Sequence, residues 1–157
     1  MRAWEIAAGL IGTVALTTVV RVASELHLTR LDLALILGTL VTKNRRRARA
    51  CGYLFHAVLG VVFAAAYGAL FRQLGWSTWW LGALFGAVHA LFLSTVVINI
   101  LLPAIHPLMG TFETAANEYA LIEPPGFFML NYGRATVIVT LVSHIIFGAI
   151  VGAMYRG

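Results

Sequence analysis

The chain has 157 residues, of which 61% are hydrophobic and 11% are charged. A mean hydropathy of +0.89 excludes an ordinary soluble domain, because such domains are about 50% apolar and about 25% charged. The single cysteine excludes an internal disulfide, a Cys-X-X-Cys redox pair and a thiolate-held iron–sulfur cluster.

Four stretches are apolar over the length that a helix needs to cross a bilayer, which is about 20 residues. They cover residues 3–24, 50–72, 79–102 and 128–155, the last beginning at Phe128 or at Tyr132. Because backbone groups in lipid must bond within their own segment, each stretch is predicted to be a helix. The sequence therefore predicts an all-α fold, a transmembrane four-helix bundle that forms one domain over residues 1–157.

The first span has some features of a cleaved signal peptide, since residues 6–20 are apolar and small residues follow. Glu5 and Arg21 do not fit that pattern, because a signal peptide has a basic start and no charge before its cleavage site. The segment is therefore expected to stay as the first span.

A shorter apolar segment lies between the first two spans. It runs from residue 33 to 41, which is too short to cross the bilayer, so we predict an interfacial or re-entrant helix over about residues 33–42. Asp32 precedes it and is suited to cap it by accepting from free backbone N–H groups. A role for Asp32 as a metal ligand or proton carrier is the alternative.

A basic cluster comes next, made of Lys43, Arg45, Arg46, Arg47 and Arg49. Beside a span, such a run is typical of an anchor that contacts anionic lipid head groups, and not of a nucleic-acid site. Eight of the eleven basic residues are predicted on this side of the membrane. The linker is therefore predicted to be cytoplasmic and both termini to lie outside.

The connection between the third and fourth spans, residues 103–131, is long for a compact bundle. We predict a structured loop, with a short helix over residues 111–123 that ends at the following Pro-Pro-Gly. His106 and Glu118 in this loop lie on the same side as Asp32, and the three are candidate metal ligands. Solvated loop chemistry explains the same residues without a site.

The second and fourth spans share a pattern in which a histidine is followed by a glycine and then a tyrosine at equal spacing. The members are His56, Gly60 and Tyr67, and His144, Gly148 and Tyr155. A weaker match joins the first and third spans. The matches predict two tandem helical hairpins in the same orientation, which is a parallel repeat.

Small residues four apart share the helix face of these histidines and let helix backbones approach. His56 shares its face with Gly60, and His144 with Gly148, while His89 of the third span lies next to Gly86. We therefore predict that the imidazoles point into the bundle. By helical rise, His89 and His144 lie about 18–20 Å from the cytoplasmic ends of their helices and His56 about 9 Å.

These histidines allow several functions. His89 and His144, with His56, are candidate ligands for haem b or a transition metal, and they are also candidates for proton or small-solute transport. Alternatively, each imidazole is neutral and joins helices by bonding the backbone or a hydroxyl of Ser94, Thr95 or Ser143. No phosphate-binding loop, nucleophile elbow or zinc-protease motif occurs, so the sequence does not favour an enzyme.

Several of these motifs resemble an uncharacterised bacterial family of small four-span membrane proteins. The resemblance covers most of residues 30–155. It implies a four-helix fold in a bacterial membrane and no particular activity. It rests on Gly52 to His56 with Gly60 and Tyr67, Gly86 with His89, Leu102-Pro103, the run from His106 to Gly110, and His144 with Gly148, Gly152 and Tyr155.

The function that the sequence favours is therefore a non-enzymatic multi-pass protein of the cytoplasmic membrane, either a structural or accessory subunit or a small binding protein. Its expected partners are the lipid bilayer and either another membrane protein or a second copy of the chain. A haem-b or metal-binding redox protein and a transporter are the alternatives.

Overall fold

The computed structural model describes residues 2–109 and 122–157. Four helices in it are long and apolar enough to cross a membrane, as expected of a multi-pass membrane protein. They are α1 (Ala3–Glu25), α3 (Arg45–Leu74), α4 (Trp79–Ile105) and α5 (Ala135–Met154). A short helix, α2 (Leu33–Thr39), follows α1, and a 3₁₀ segment (Phe127–Tyr132) precedes α5. The predicted all-α four-helix fold is confirmed.

Helix α3 begins earlier than the predicted span, because Asn44 caps it. The Asn44 side chain accepts a hydrogen bond of 3.1 Å from the backbone N–H of Arg47, which is the usual capping contact. Most of the basic cluster therefore lies in the first turns of α3 and not in a loop. At the other end α3 stops at Gly75, whose φ of 76° is the left-handed conformation that ends many helices.

Helix α5 begins later than predicted, at Ala135, because the chain turns sharply before it. Phe128 and Met129 have φ values of 52° and 58°. Left-handed backbone costs a non-glycine residue about 1–2 kcal/mol, so this segment is strained. The turn places the Met129 side chain, which is 2% exposed, inside the bundle.

Helix α4 changes its winding halfway. It is α-helical over Trp79–Phe92 and π-helical over Leu93–Leu101, and it ends with one α-helical turn. At the junction, Ser94 Oγ donates to the Ala90 carbonyl over 2.8 Å and Thr95 Oγ1 to the Leu91 carbonyl over 2.6 Å. Such bonds bend helices, and π-helical segments occur frequently at functional sites.

The spans pack in the order α3, α1, α5, α4. The spans α4 and α5 approach closely, because a Cβ atom at Gly82 would overlap the Gly148 carbonyl and one at Gly86 the His144 carbonyl. Helices α1 and α3 approach at Gly9, where a Cβ would lie 2.6 Å from Val61 Cα. The helix faces that carry the small residues therefore contact partner helices, as predicted. The two helices of each predicted hairpin, α1 with α3 and α4 with α5, pack against each other.

Helix α2 packs against the first half of α3. Asp32 Oδ1 accepts from the Leu35 N–H over 3.0 Å, which confirms the predicted cap. The other Asp32 oxygen binds Arg49 Nε over 3.0 Å. At the far end of α2, His106 Nε2 lies 3.0 Å from the Ile36 carbonyl oxygen and 3.2 Å from Thr39 Oγ1. Helix α2 is thus tied to α3 and to the chain after α4.

Candidate binding cavity

A partly open cavity of about 130 Å³ lies between the four spans. Helix α2 and Met129 close one part of it, and Phe63, Val97 and Phe147 are among its apolar walls. The three histidines of the spans all reach it, as predicted from their helix faces. The polar residues on its walls are Thr13, His56, His89, Thr140, Ser143 and His144.

His144, on α5, is buried, and its hydrogen-bonding state follows from one contact. Its Nδ1 lies 2.8 Å from the backbone carbonyl oxygen of Thr140. A carbonyl oxygen can only accept, so Nδ1 carries the proton and Nε2 presents a lone pair. Within the described residues, no side chain or backbone group bonds that Nε2. His144 is therefore an acceptor without a donor on the cavity wall.

His89, on α4, carries its proton on the other ring nitrogen, Nε2. Its Nδ1 lies 3.2 Å from the Tyr67 hydroxyl of α3. That hydroxyl has no other acceptor among the described residues, so it donates to Nδ1, and the His89 proton sits on Nε2. His89 Nε2 is buried without a partner in the part of the chain that the structure describes. The ring lies 4.0 Å from the Phe63 ring, centroid to centroid, and 5.1 Å from the His144 ring.

His56, on α3, is half-buried and lies at the α1 side of the cavity. Its Nδ1 is 3.1 Å from Thr17 Oγ1. This contact joins α1 to α3, as expected of a histidine that links helices. The hydroxyl groups predicted to bond the histidines, those of Ser94, Thr95 and Ser143, all donate to carbonyls of their own helices. Ser143 Oγ also lies 3.5 Å from His144 Nδ1.

Several residues of the site were not identified from the sequence. Tyr67 was part of the repeat pattern, but its contact with His89 joins two helices and has no signature in sequence spacing. Thr140 lies four residues before His144, on the same helix face, and that spacing is a signal that could have identified it. Thr140 Oγ1 is also buried without a partner among the described residues.

The cavity does not match a haem. Pockets for larger organic ligands are about 300–1,000 Å³, and this one is about 130 Å³. Two imidazoles that bind one iron from opposite faces have ring centres about 6 Å apart, given Fe–N bonds of about 2 Å. The rings of His89 and His144 are 5.1 Å apart and nearly perpendicular, at 80°. A porphyrin would require the helices to separate.

The candidate metal ligands are also dispersed. In residues 2–109 and 122–157, no group of three or more His, Cys, Asp or Glu side chains has the geometry of a metal site. Asp32 and His106 bond opposite ends of α2 and stabilise it. Glu118 and most of the predicted 111–123 helix lie outside the described residues.

A polar network holds the segment before α5 against the first linker. Thr29 Oγ1 and Thr136 Oγ1 are 2.7 Å apart, and the Tyr132 hydroxyl donates to the Glu123 carbonyl over 2.6 Å. The Arg30 side chain pairs with the Glu123 carboxylate over 3.3 Å. Burial raises the pKa of the Tyr132 hydroxyl above its usual value, and the charge of Glu123 adds to this. The network fixes the turn that carries Met129.

An ion pair lies at the other end of the bundle. Glu5 is buried in the first turn of α1, and its Oε1 binds Arg72 Nη1 of α3 over 3.0 Å. Its other oxygen accepts from the Arg2 backbone N–H over 2.7 Å. The pair secures α1 against α3 and lies away from the cavity-lining residues.

No protein family, curated protein or solved structure matches this chain. The resemblance to a bacterial four-span family therefore stays a prediction from the sequence. The fold and the cavity together define a class, which is a multi-pass helical membrane protein with a small cavity between its spans.

Proposed function

We propose that this chain is a non-enzymatic protein of the bacterial cytoplasmic membrane that binds one small, mainly apolar molecule between its spans. One observation carries the proposal. His144, on the wall of the cavity, holds its Nδ1 proton against the Thr140 carbonyl, and its Nε2 has no donor among the described residues. Buried polar atoms are normally bonded, so a bound molecule would supply the missing partner.

The size of the cavity limits the ligand. An engineered apolar cavity of about 150 Å³ holds one benzene molecule, and the present volume is about 130 Å³. The ligand is therefore a single ring or a short chain. The apolar walls favour a molecule that partitions into lipid and reaches the cavity from the bilayer.

A lateral route is available between α3 and α4. These helices meet through aromatic side chains, with Phe71 and Phe85 stacked at 5.3 Å and Tyr67 edge-on to Phe85 at 5.7 Å. Side chains can change rotamer more easily than packed backbones can separate. Phe63, which lies between the same helices and lines the cavity, is the ring that an entering ligand would displace.

The proposed orientation places the basic start of α3 at the cytoplasmic surface. Lys43, Arg45, Arg46 and Arg47 are exposed there, where anionic head groups would attract each charge with about 1 kcal/mol. An impermeant thiol reagent added outside the cell should label Gly157→Cys in a Cys51→Ser background. Labelling from the inside alone would reverse the orientation.

The binding experiment uses the full-length protein in lipid nanodiscs, with fluorobenzene as the probe and ¹⁹F NMR as the readout. Val97 lines the cavity, so Val97→Phe should fill it and weaken binding at least about tenfold. Val96→Phe is the matched control, because Val96 is the adjacent residue, is 41% exposed and points away from the cavity. The proposal fails if fluorobenzene shows no saturable binding, or if both variants bind it alike.

Proton or solute transport is less well supported by the same residues. Tyr67, His89 and His144 form one short chain of polar groups, and mainly apolar walls surround it. A transport path needs polar groups or water across the whole membrane.

A further inference from the structure

The shape of the cavity restricts the ligand further, provided that the proposed binding function holds. On α4, the residues that line the cavity run from His89 to Leu102, and on α3 they run from His56 to Phe63. Helical rise converts these stretches to about 15–20 Å on α4, where the π-helical part is shorter per residue, and to about 10 Å on α3. A volume of about 130 Å³ that extends over such a length is narrow. The cavity therefore suits one extended chain better than a ring.

The lining also changes in polarity along the membrane axis. It is polar at the level of His89 and His144, whose rings are 5.1 Å apart. Toward α2, beyond His56 and Thr140, the lining is apolar. The side chains there include Leu31, Leu33, Ile36, Leu37, Leu102 and Met129. A ligand that matches this lining has one polar end, at mid-depth, and an apolar remainder that points toward α2.

The polar end of the ligand meets His144. Nδ1 of this ring holds its proton against the Thr140 carbonyl at 2.8 Å, so Nε2 carries a lone pair. Among the described residues, the fully buried polar atoms without a partner include Thr140 Oγ1 and His89 Nε2 but not His144 Nε2. The lone pair of His144 is therefore accessible from the cavity, and the ligand must bring a hydrogen-bond donor to it.

The walls limit this donor to a neutral hydroxyl group. An ammonium group would carry a charge into an apolar environment, which costs far more than burying a hydroxyl. A primary amide would bring a second N–H, and the nearby Thr13 and Ser143 hydroxyls already donate to carbonyls of their own helices. A cavity of about 150 Å³ holds the six carbons of benzene, so the chain has about six carbons. We propose that the cavity binds a linear aliphatic alcohol, with its hydroxyl on His144 and its chain directed toward α2.

The experiment compares four fluorinated probes that have the same number of non-hydrogen atoms. They are 6-fluorohexan-1-ol, 1-fluoroheptane, 1-fluoro-5-methoxypentane and 4-fluorocyclohexanol. Binding to the full-length protein in nanodiscs is measured by ¹⁹F NMR, with each dissociation constant referred to the probe concentration in the lipid. The linear alcohol should bind at least about tenfold more tightly than each of the others. The alkane and the ether cannot donate to His144, and the cyclic alcohol is wider than the cavity.

A second measurement observes the hydrogen bond in the unaltered protein. With ¹⁵N-labelled histidine, the resonance of the unprotonated His144 Nε2 should move when 6-fluorohexan-1-ol is added and should not move with 1-fluoroheptane. His144→Leu removes the acceptor, so the preference for the linear alcohol over 1-fluoroheptane should fall to about onefold while both still bind. His56→Leu is the matched control, because His56 lines the same cavity but bonds Thr17, and it should keep the preference.

The outcomes separate the two proposals. If neither fluorobenzene nor any of the four probes binds, the binding function itself is wrong. If fluorobenzene binds but the linear alcohol binds no better than the alkane and the ether, the function stands and the hydroxyl is overturned. If 4-fluorocyclohexanol binds as tightly as the linear alcohol, the extended chain is overturned. If His56→Leu removes the preference and His144→Leu does not, the position of the hydroxyl is wrong.

Discussion

The α4–α5 contact and the α3–α4 contact differ in what occupies the space between two helices. Between α4 and α5, glycines at Gly82, Gly86 and Gly148 bring backbone against backbone. Between α3 and α4, aromatic rings of Phe63, Phe71 and Phe85 hold the helices apart. The α4–α5 contact stabilises the bundle, and the wider α3–α4 contact leaves space for the cavity. The same apolar composition therefore gives either a sealed or an open interface, depending on side-chain size.

The largest expected effect comes from breaking the sealed interface. Gly86→Ala adds a Cβ that would overlap the His144 carbonyl, so the two backbones must separate, and the free energy of unfolding should fall by about 3 kcal/mol. The measurement is a denaturation curve in mixed micelles, followed by circular dichroism. The control is Val88→Ala on the lipid side of α4, which is 59% exposed and should change stability by at most about 0.5 kcal/mol. Equal effects of the two variants would refute the close approach.

A smaller effect is expected at the open interface. Phe63→Ala removes a half-buried ring, so stability should fall by about 1–2 kcal/mol, less than the about 3–5 kcal/mol of a fully buried phenylalanine. The variant should also gain binding of 2-fluoronaphthalene, a two-ring probe, because the cavity is enlarged. Phe55→Ala, on the same helix but 40% exposed, should gain none. If Phe63→Ala destabilises as much as Gly86→Ala does, the distinction between the two interfaces is wrong.

The smallest effect is expected at residues 127–132, the turn that closes one part of the cavity. The pKa of Tyr132 is raised, chiefly by burial, so the folded protein holds the phenol proton more tightly than the unfolded chain does. This stability is complete below the ordinary pKa of about 10 and is lost as the pH rises above it. When the pH rises from neutral to about 10.5, the free energy of unfolding of the wild type should fall by about 1 kcal/mol more than that of Tyr132→Phe. Parallel pH profiles for the two proteins would contradict the assignment.

Hydropathy and helix signals predicted most of the fold, because the forces involved are local. The four spans follow from uninterrupted apolar length, the Asp32 cap from its position before Leu33, and the helix faces from the four-residue spacing of glycines. Each of these depends on residues within one helix. The predicted start of the last span did not hold, because residues 127–130 are apolar and the left-handed conformation falls on Phe128 and Met129, which are not glycines.

The candidate site was predicted only in part, for a related reason. The positions of His56, His89 and His144 on inward helix faces follow from spacing within each helix. Their hydrogen-bonding states depend on Tyr67 and Thr17, which belong to neighbouring helices. The π-helical winding of α4 also shifts which side chains face inward after Ser94. Contacts between helices leave no periodic signal in one sequence.

The packing order has a consequence for biogenesis. Helix α1 lies between α3 and α5 and is synthesised before both, so its side that faces α5 stays in contact with lipid until α5 is inserted. Thr140, Ser143 and His144 arrive with α5. The pocket is therefore completed only when α5 joins the other three spans, by an association between segments far apart in the chain, which is the slowest kind of contact to form.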